Sequence, residues 1–157
     1  TRTQRRSDMS GPIGAGAIAG TLGSIAMQKV MAEAQGTNTM GRSGPEAYTE
    51  TLLDQADVTT DHATEKGVAD LGHLGFGAAG GVLFSVALTA LPIPALVLGP
   101  LFGRLVWETM YRGLAPMVGV MPSPEEDEPG RPETMQMAHL VYGGVLGALV
   151  PVLRWLL

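Results

Sequence analysis

Two histidines lie at matching places in two apolar parts of the sequence. His73 and His139 are each followed by leucine, by an aromatic residue at the third position and by glycine at the fourth. Imidazole binds transition metals and haem iron. The two histidines could therefore be the axial ligands of a haem. With the carboxylate of Glu108, His73 and His139 would form a metal site suited to iron, zinc or manganese.

The carboxylate of Glu108 has competing partners in its own helix. Arg104 and Arg112 lie four residues before and after it, one turn away on the same helical face. A carboxylate between two arginines needs no metal, so ion pairs along the helix are the structural alternative. In a third interpretation Glu108 and the histidines handle protons or cations, because ionisable groups inside long apolar segments usually serve a function. All three hypotheses stay open.

Three long uncharged stretches indicate the elements that would position these groups. They cover residues 9–28, 71–103 and 134–153. About 20 apolar residues in a helix cross the hydrocarbon core of a bilayer. The middle stretch is too long for one crossing and contains two prolines, at 92 and 94, which break helical hydrogen bonding. We therefore predict an all-α membrane four-helix bundle in a single transmembrane domain, residues 1–157, with helices at about 11–33, 71–91, 93–115 and 137–157.

The distribution of basic residues predicts the orientation. Arg2, Arg5 and Arg6 precede the first helix and Arg154 ends the fourth, whereas acidic residues dominate the outer loops, 34–70 and 116–136. By the positive-inside rule we expect a multi-pass protein of the cytoplasmic membrane with both termini cytoplasmic. The alternative, that the first stretch is a signal peptide, is disfavoured because its apolar run is longer than a signal core.

This topology places four polar residues at one depth. Gln28, His73, Glu108 and His139 would form a layer near the outer third of the bundle, by the helical rise. Above that layer, residues 45–57 carry a weak apolar stripe and predict a short amphipathic helix over the outer end.

A second short helix is expected near Thr60 or Asp61 in the first outer loop, leading into the second crossing. The second outer loop differs from the first, because residues 122–132 are rich in charged and turn-forming residues. We expect this loop to be solvated.

Composition excludes several classes of protein. The chain of 157 residues has a formal net charge of −5, 16% charged residues and no cysteine. The acidic balance argues against nucleic-acid binding, and the lack of cysteine excludes thiolate chemistry. Because no Walker loop, nucleophile elbow or His-Glu-x-x-His motif occurs, we expect no catalytic residues.

Each predicted crossing carries a pair of glycines four residues apart. Helices in lipid associate through close packing of small residues, so these pairs predict helix-packing positions in a tight bundle. The eight glycines are Gly16, Gly20, Gly77, Gly81, Gly99, Gly103, Gly143 and Gly147.

The histidine match also suggests an internal duplication. Two parallel helix-pair repeats would align His73 with His139. Matching Gly23 with Gly103 in the other two helices sets Gln28 against Glu108.

The chain resembles the YagU-like family of small, largely uncharacterised integral membrane proteins. The resemblance rests on residues 14–20, on 73–81, on Val106 and Trp107 with Tyr111, and on 138–143. It implies a four-helix inner-membrane protein and brings no established catalytic residues.

The sequence therefore predicts a non-enzymatic membrane protein, embedded in the lipid bilayer as a homo-oligomer or as an accessory subunit of a larger complex. The first alternative is a metal- or haem-binding membrane protein using His73 and His139. The second is a proton- or cation-handling protein using Glu108.

Overall fold

The structure is a computed structural model that describes residues 10–157, and within them every regular element is a helix. The all-α prediction is therefore confirmed for that part of the chain. Arg2, Arg5 and Arg6, on which the predicted orientation depends, lie outside the described residues. The elements in chain order are α1 (Ser10–Gly36), α2 (Gly44–Gln55), α3 (His62–Ala90), α4 (Ala95–Trp107), a π-helix (Glu108–Leu114), α5 (Ala115–Met117) and α6 (Arg131–Leu156).

The predicted break between the second and third crossings is confirmed. Helix α3 ends at Ala90, Leu91 adopts an extended conformation with φ −106° and ψ 127°, and α4 starts directly after Pro94. A proline cannot donate a backbone hydrogen bond and disfavours a helical residue before it. The two prolines therefore turn the chain through a short hairpin.

Two helices begin earlier than predicted, which shortens the two loops between the long helices. Helix α3 starts at His62 rather than near 71, because the Asp61 side chain accepts a hydrogen bond from the Thr64 amide at 3.0 Å and caps the helix. The short helix expected near Asp61 is the first part of α3. Helix α6 starts at Arg131 rather than near 137, with Pro132 in its first turn.

The short helix predicted over residues 45–57 is present as α2. Helix α2 begins after Ser43, whose hydroxyl accepts from the Glu46 amide while Glu46 accepts from the Ser43 amide. This reciprocal capping box satisfies donors that a helix start leaves unpaired.

The third predicted crossing, 93–115, is helical but not uniform. Its hydrogen bonding widens from α to π at Glu108 and returns to α at Ala115. Pro116 has no amide proton for the carbonyl of Arg112, which an α-helix would require. The wider turn carries the chain past this missing bond.

Packing divides the long helices into two antiparallel pairs. Helix α1 packs along α3 and α4 packs along α6, while α1 and α6 join the pairs. Helices α3 and α4 contact each other little, although Phe84 and Phe102 meet edge to face with ring centroids 5.4 Å apart. Residues 91–94 lie at one end of the molecule, the hairpin end, and segments 37–61 and 118–130 lie at the other, the loop end.

Two helices are long and apolar enough to cross a membrane. They are α3, with 29 residues, and α6, with 26. Helix α1, with 27 residues, and α4, with 13 before the π-helix begins, are not among them. Crossing a bilayer stays a prediction for all four segments.

Candidate functional site

Glycines bring α1 and α3 into direct backbone contact. A Cβ atom on Gly20 would lie 2.1 Å from the carbonyl oxygen of Gly77, and one on Gly81 would lie 2.1 Å from that of Gly16. Such separations are far below any van der Waals contact. Only glycine therefore fits at these positions without moving a helix.

The second pair, α4 and α6, repeats this construction. A Cβ on Gly99 would lie 2.2 Å from the Gly143 carbonyl oxygen, and one on Gly103 would lie 2.0 Å from that of His139. A Cβ on Gly147 would come within 2.5 Å of the Ala95 carbonyl oxygen. All eight glycines predicted to pack helices lie in one of these two interfaces.

The two interfaces correspond in a register that differs from the predicted one. Gly77 faces Gly20 and Ser24 of α1, whereas Gly143 faces Gly99 and Gly103 of α4. If Gly77 matches Gly143, Ser24 rather than Gly23 occupies the place of Gly103. Gln28 then corresponds to Trp107, not to Glu108, so the predicted alignment is wrong by one residue.

Gly23 has a different role, because its missing side chain leaves space for the ring of Tyr142. A Cβ on Gly23 would lie 2.7 Å from that ring. The Tyr142 hydroxyl donates to the Gly77 carbonyl at 2.7 Å, and the Ser24 hydroxyl donates to the His73 carbonyl at 3.3 Å. These hydrogen bonds join three helices where the backbones are closest.

The two histidines occupy different environments. His139 is buried, and its Nδ1 lies 2.7 Å from the carbonyl oxygen of Met135, one turn earlier. Because a carbonyl oxygen only accepts, Nδ1 must be the donor. His73 is half-buried, and its buried Nδ1 has no hydrogen-bond partner among residues 10–157.

The predicted metal site of His73, Glu108 and His139 is not assembled. Within the described residues, no group of three His, Asp or Glu side chains is placed to hold a metal ion. The carboxylate of Glu108 points instead to arginines outside the bundle. Gln28, the fourth member of the predicted layer, donates to Asp70 at 3.4 Å. The off-by-one register explains the error, because one residue turns a helix by about 100°.

The alternative interpretation of Glu108 agrees with the structure. Glu108 forms an ion pair with Arg104 and lies 3.7 Å from Arg112, which also pairs with Glu125. We call these four residues the charge ladder. Their side chains are between 34% and 58% exposed, so the ladder lies on the outside of the molecule.

The charge ladder is attached to an aromatic stack. The guanidinium of Arg104 lies 4.9 Å from the ring centroid of Trp107, and Trp107 stacks on Tyr111 with centroids 5.8 Å apart. Trp107 and Tyr111 are buried. Arg104 therefore covers the edge of the core at this place.

A buried ionic cluster at the loop end was missed from the sequence. Arg131 contacts Asp127 at 2.5 Å and Glu128 at 2.9 Å, and its Nε donates to the Arg42 carbonyl at 2.8 Å. The Tyr111 hydroxyl donates to Asp127 as well. The side chains of Arg131 and Asp127 are 5% and 1% exposed. The expectation of a wholly solvated loop over 122–132 is therefore wrong at these two residues.

The backbone beside this cluster is equally constrained. Gly130 has φ 84°, and a Cβ there would lie 1.9 Å from the Thr39 carbonyl oxygen. Only glycine adopts this conformation without strain. The sequence signal that could have shown an ordered turn is Gly130 before Arg131-Pro132, with Asp127 four residues before Arg131.

Helix α2 is fixed to the ends of α1 and α3 by the buried carboxylate of Glu46. The Gln35 amide donates to it at 2.9 Å, and the Lys66 ammonium lies 3.5 Å away. Burial alone would raise the pKa of Glu46, but the hydrogen bonds from Ser43 and Gln35 and the charge of Lys66 outweigh it and lower the pKa.

Comparison with family models, with curated proteins and with solved structures finds no match to this chain. The resemblance to the YagU-like family therefore stays a prediction.

Proposed function

We propose that this chain is a four-helix membrane protein with a non-enzymatic packing role, either as a homo-oligomer or as an accessory subunit of a larger membrane complex. The observation that carries the proposal is the placement of small and large apolar residues. Backbones meet at glycines inside the molecule, while many of its large aliphatic side chains point outward.

The outward side chains occur on all four long helical segments. Examples are Ile18 in α1, Leu83 in α3, Leu101 in α4 and Val152 in α6, which are 45%, 64%, 57% and 52% exposed. Water-soluble monomers rarely expose extended apolar surface. In a bilayer these side chains would lie among acyl chains, and the helices would associate through their small residues.

The charges also support this arrangement. In α1, α3 and α6 the uncharged stretches 11–28, 71–90 and 134–153 form a band, and most charged residues lie towards the loop end. We propose that the loop end faces outward and that both termini are cytoplasmic. The resemblance to the YagU-like family also supports a place in the inner, cytoplasmic membrane.

The particle size in mild detergent tests the packing role. Light scattering during gel filtration measures the protein mass of each particle, apart from its detergent. We expect more than one chain of 16.4 kDa per particle, or a second polypeptide at a fixed ratio. A single chain that co-purifies with no other protein, both in detergent and in lipid nanodiscs, would contradict the role.

A further inference from the structure

We infer that the outward face of α4 packs against the same face of a second copy of this chain, with Arg104 and Glu108 paired across the contact. This inference rests on the proposed function, since it names the partner and the surface through which a membrane-embedded chain would associate.

Helix α4 has an outward face that no other part of the described chain covers. It packs along α6, and its contact with α3 is slight. On its outer face lie Val97, Leu101, Arg104 and Glu108, which are 53%, 57%, 44% and 34% exposed. Their separations of four, three and four residues place them on one straight seam, the spacing through which two helices interlock.

Charged residues begin in α4 at a depth where the neighbouring helix, α6, has none. Gly103 packs on the carbonyl of His139, which lies five residues inside the uncharged stretch of α6 that starts at Thr134. Arg104 is one residue nearer the loop end than Gly103, so by the helical rise it is about 6 Å inside the edge of the uncharged band. Ionised side chains at such depth usually face protein or a water-filled space rather than lipid.

The charge ladder is complementary to itself. It contains two arginines and two glutamates, so its net charge is zero. When two identical faces meet about a two-fold axis, Arg104 of each copy can approach Glu108 of the other. An anionic lipid headgroup would be attracted by Arg104 and Arg112 but repelled by the carboxylates of Glu108 and Glu125. The alternation therefore favours a second copy over a lipid.

Cysteine cross-linking tests the contact, because the chain has no cysteine of its own. Val97→Cys and Leu101→Cys each place one thiol on the seam. Leu83→Cys is the matched control, since Leu83 is 64% exposed on α3. On mild oxidation in native membranes, we expect the two seam variants to give covalent dimers several-fold more efficiently than the control. Equal yields from all three, or no dimer from either seam variant, would overturn the inference.

A charge swap tests the role of the ladder in the same assay. In the Leu101→Cys background, Arg104→Glu places two carboxylates on each face, and we expect the dimer yield to fall several-fold. Adding Glu108→Arg restores opposite charges and should restore the yield, which separates pairing from misfolding. A yield unchanged by Arg104→Glu would count against pairing across the contact.

The outcomes also separate this inference from the proposal beneath it. If light scattering shows an oligomer but the seam variants form no dimer, the packing role stands and the interface is elsewhere. If the particle is a lone monomer, both fail.

Discussion

Arg131 joins three segments of the loop end through one guanidinium group. It binds Asp127 and Glu128 in the second loop and the Arg42 carbonyl in the first, and Asp127 in turn accepts from Tyr111 of the π-helix. A buried charge is tolerated when it is paired and hydrogen-bonded, and removing one partner leaves the other exposed to the full cost of burial. The cluster therefore determines how both loops close over the helices.

Replacing Arg131 by methionine should destabilise the fold strongly. Arg131→Met leaves Asp127 buried without its cation, and we expect the free energy of unfolding to fall by about 3–5 kcal/mol. Denaturation in detergent micelles measures the change. Lys29→Met is the control, because Lys29 is an exposed cation at the loop end of α1. Equal stability of the two variants would contradict the account of the cluster.

Glu46 should make the attachment of α2 sensitive to acid. Its pKa is lowered in the folded protein, so its ionised form is the stabilising one. That contribution is complete above the ordinary pKa of glutamate, about 4.3, and is lost as the pH falls through the lower pKa of the folded state. Hydrogen-exchange protection of the α2 amides should decrease over this acidic range.

Two variants isolate that effect. Glu46→Gln has no titrating group and should remove the acid dependence of α2 protection. Asp54→Asn alters an exposed carboxylate on the same helix and should retain it. Identical pH profiles for Glu46→Gln and the unchanged protein would show that another group controls α2.

At the scale of the element, the helix interfaces depend on the absence of side chains. Gly20 touches the backbone of α3, whereas Gly75, also inside a helix, has open space where a Cβ would be. The two positions share the same intrinsic helix propensity and differ in their surroundings. They provide a matched pair for testing whether the interface requires glycine.

Gly20→Ala and Gly75→Ala should therefore change stability in opposite directions. The new methyl at Gly20 forces α1 and α3 apart, and we expect a loss of about 1–3 kcal/mol in the free energy of unfolding. At Gly75 the methyl meets nothing and favours the helix by about 0.5–1 kcal/mol. Denaturation in detergent compares the two. Equal effects would mean that close packing of α1 on α3 is not what requires glycine.

The helices themselves were largely predictable, because their causes are local. Leu91-Pro92-Ile93-Pro94 breaks the long uncharged stretch, Ser43 and Pro45 start α2, and glycines four residues apart mark the helix faces that meet. The start of α3 was predicted too late in the sequence, because the cap at Asp61 extends the helix into a charged segment. The π-helix was missed, because Pro116 predicts the loss of one helical hydrogen bond but not how the turns before it adjust to that loss.

The candidate site was predicted less well than the helices. The ion pairs of Glu108 follow from helical spacing and are present. The layer with the histidines required the rotation of α4 about its axis, which an alignment wrong by one residue cannot provide. Arg131 contacts a carbonyl 89 residues away in sequence, and no local pattern indicates such a contact.

At the scale of the whole molecule, apolar and polar surfaces are arranged as a bilayer requires. Large side chains point outward on the four long helical segments, small residues join the helices, and most charged groups lie towards the loop end. The uncharged stretches of α1, α3 and α6 each approach the thickness of a hydrocarbon core. The proposed contact between copies depends on this membrane location.

Membrane fractionation tests that requirement most directly. Membranes carrying the protein would be washed at alkaline pH, which strips peripheral proteins, and then centrifuged at high speed. We predict that the chain stays entirely in the pellet and enters solution only with detergent. Recovery of folded protein in the supernatant without detergent would contradict the account, because the outward apolar side chains would then have to lie in water.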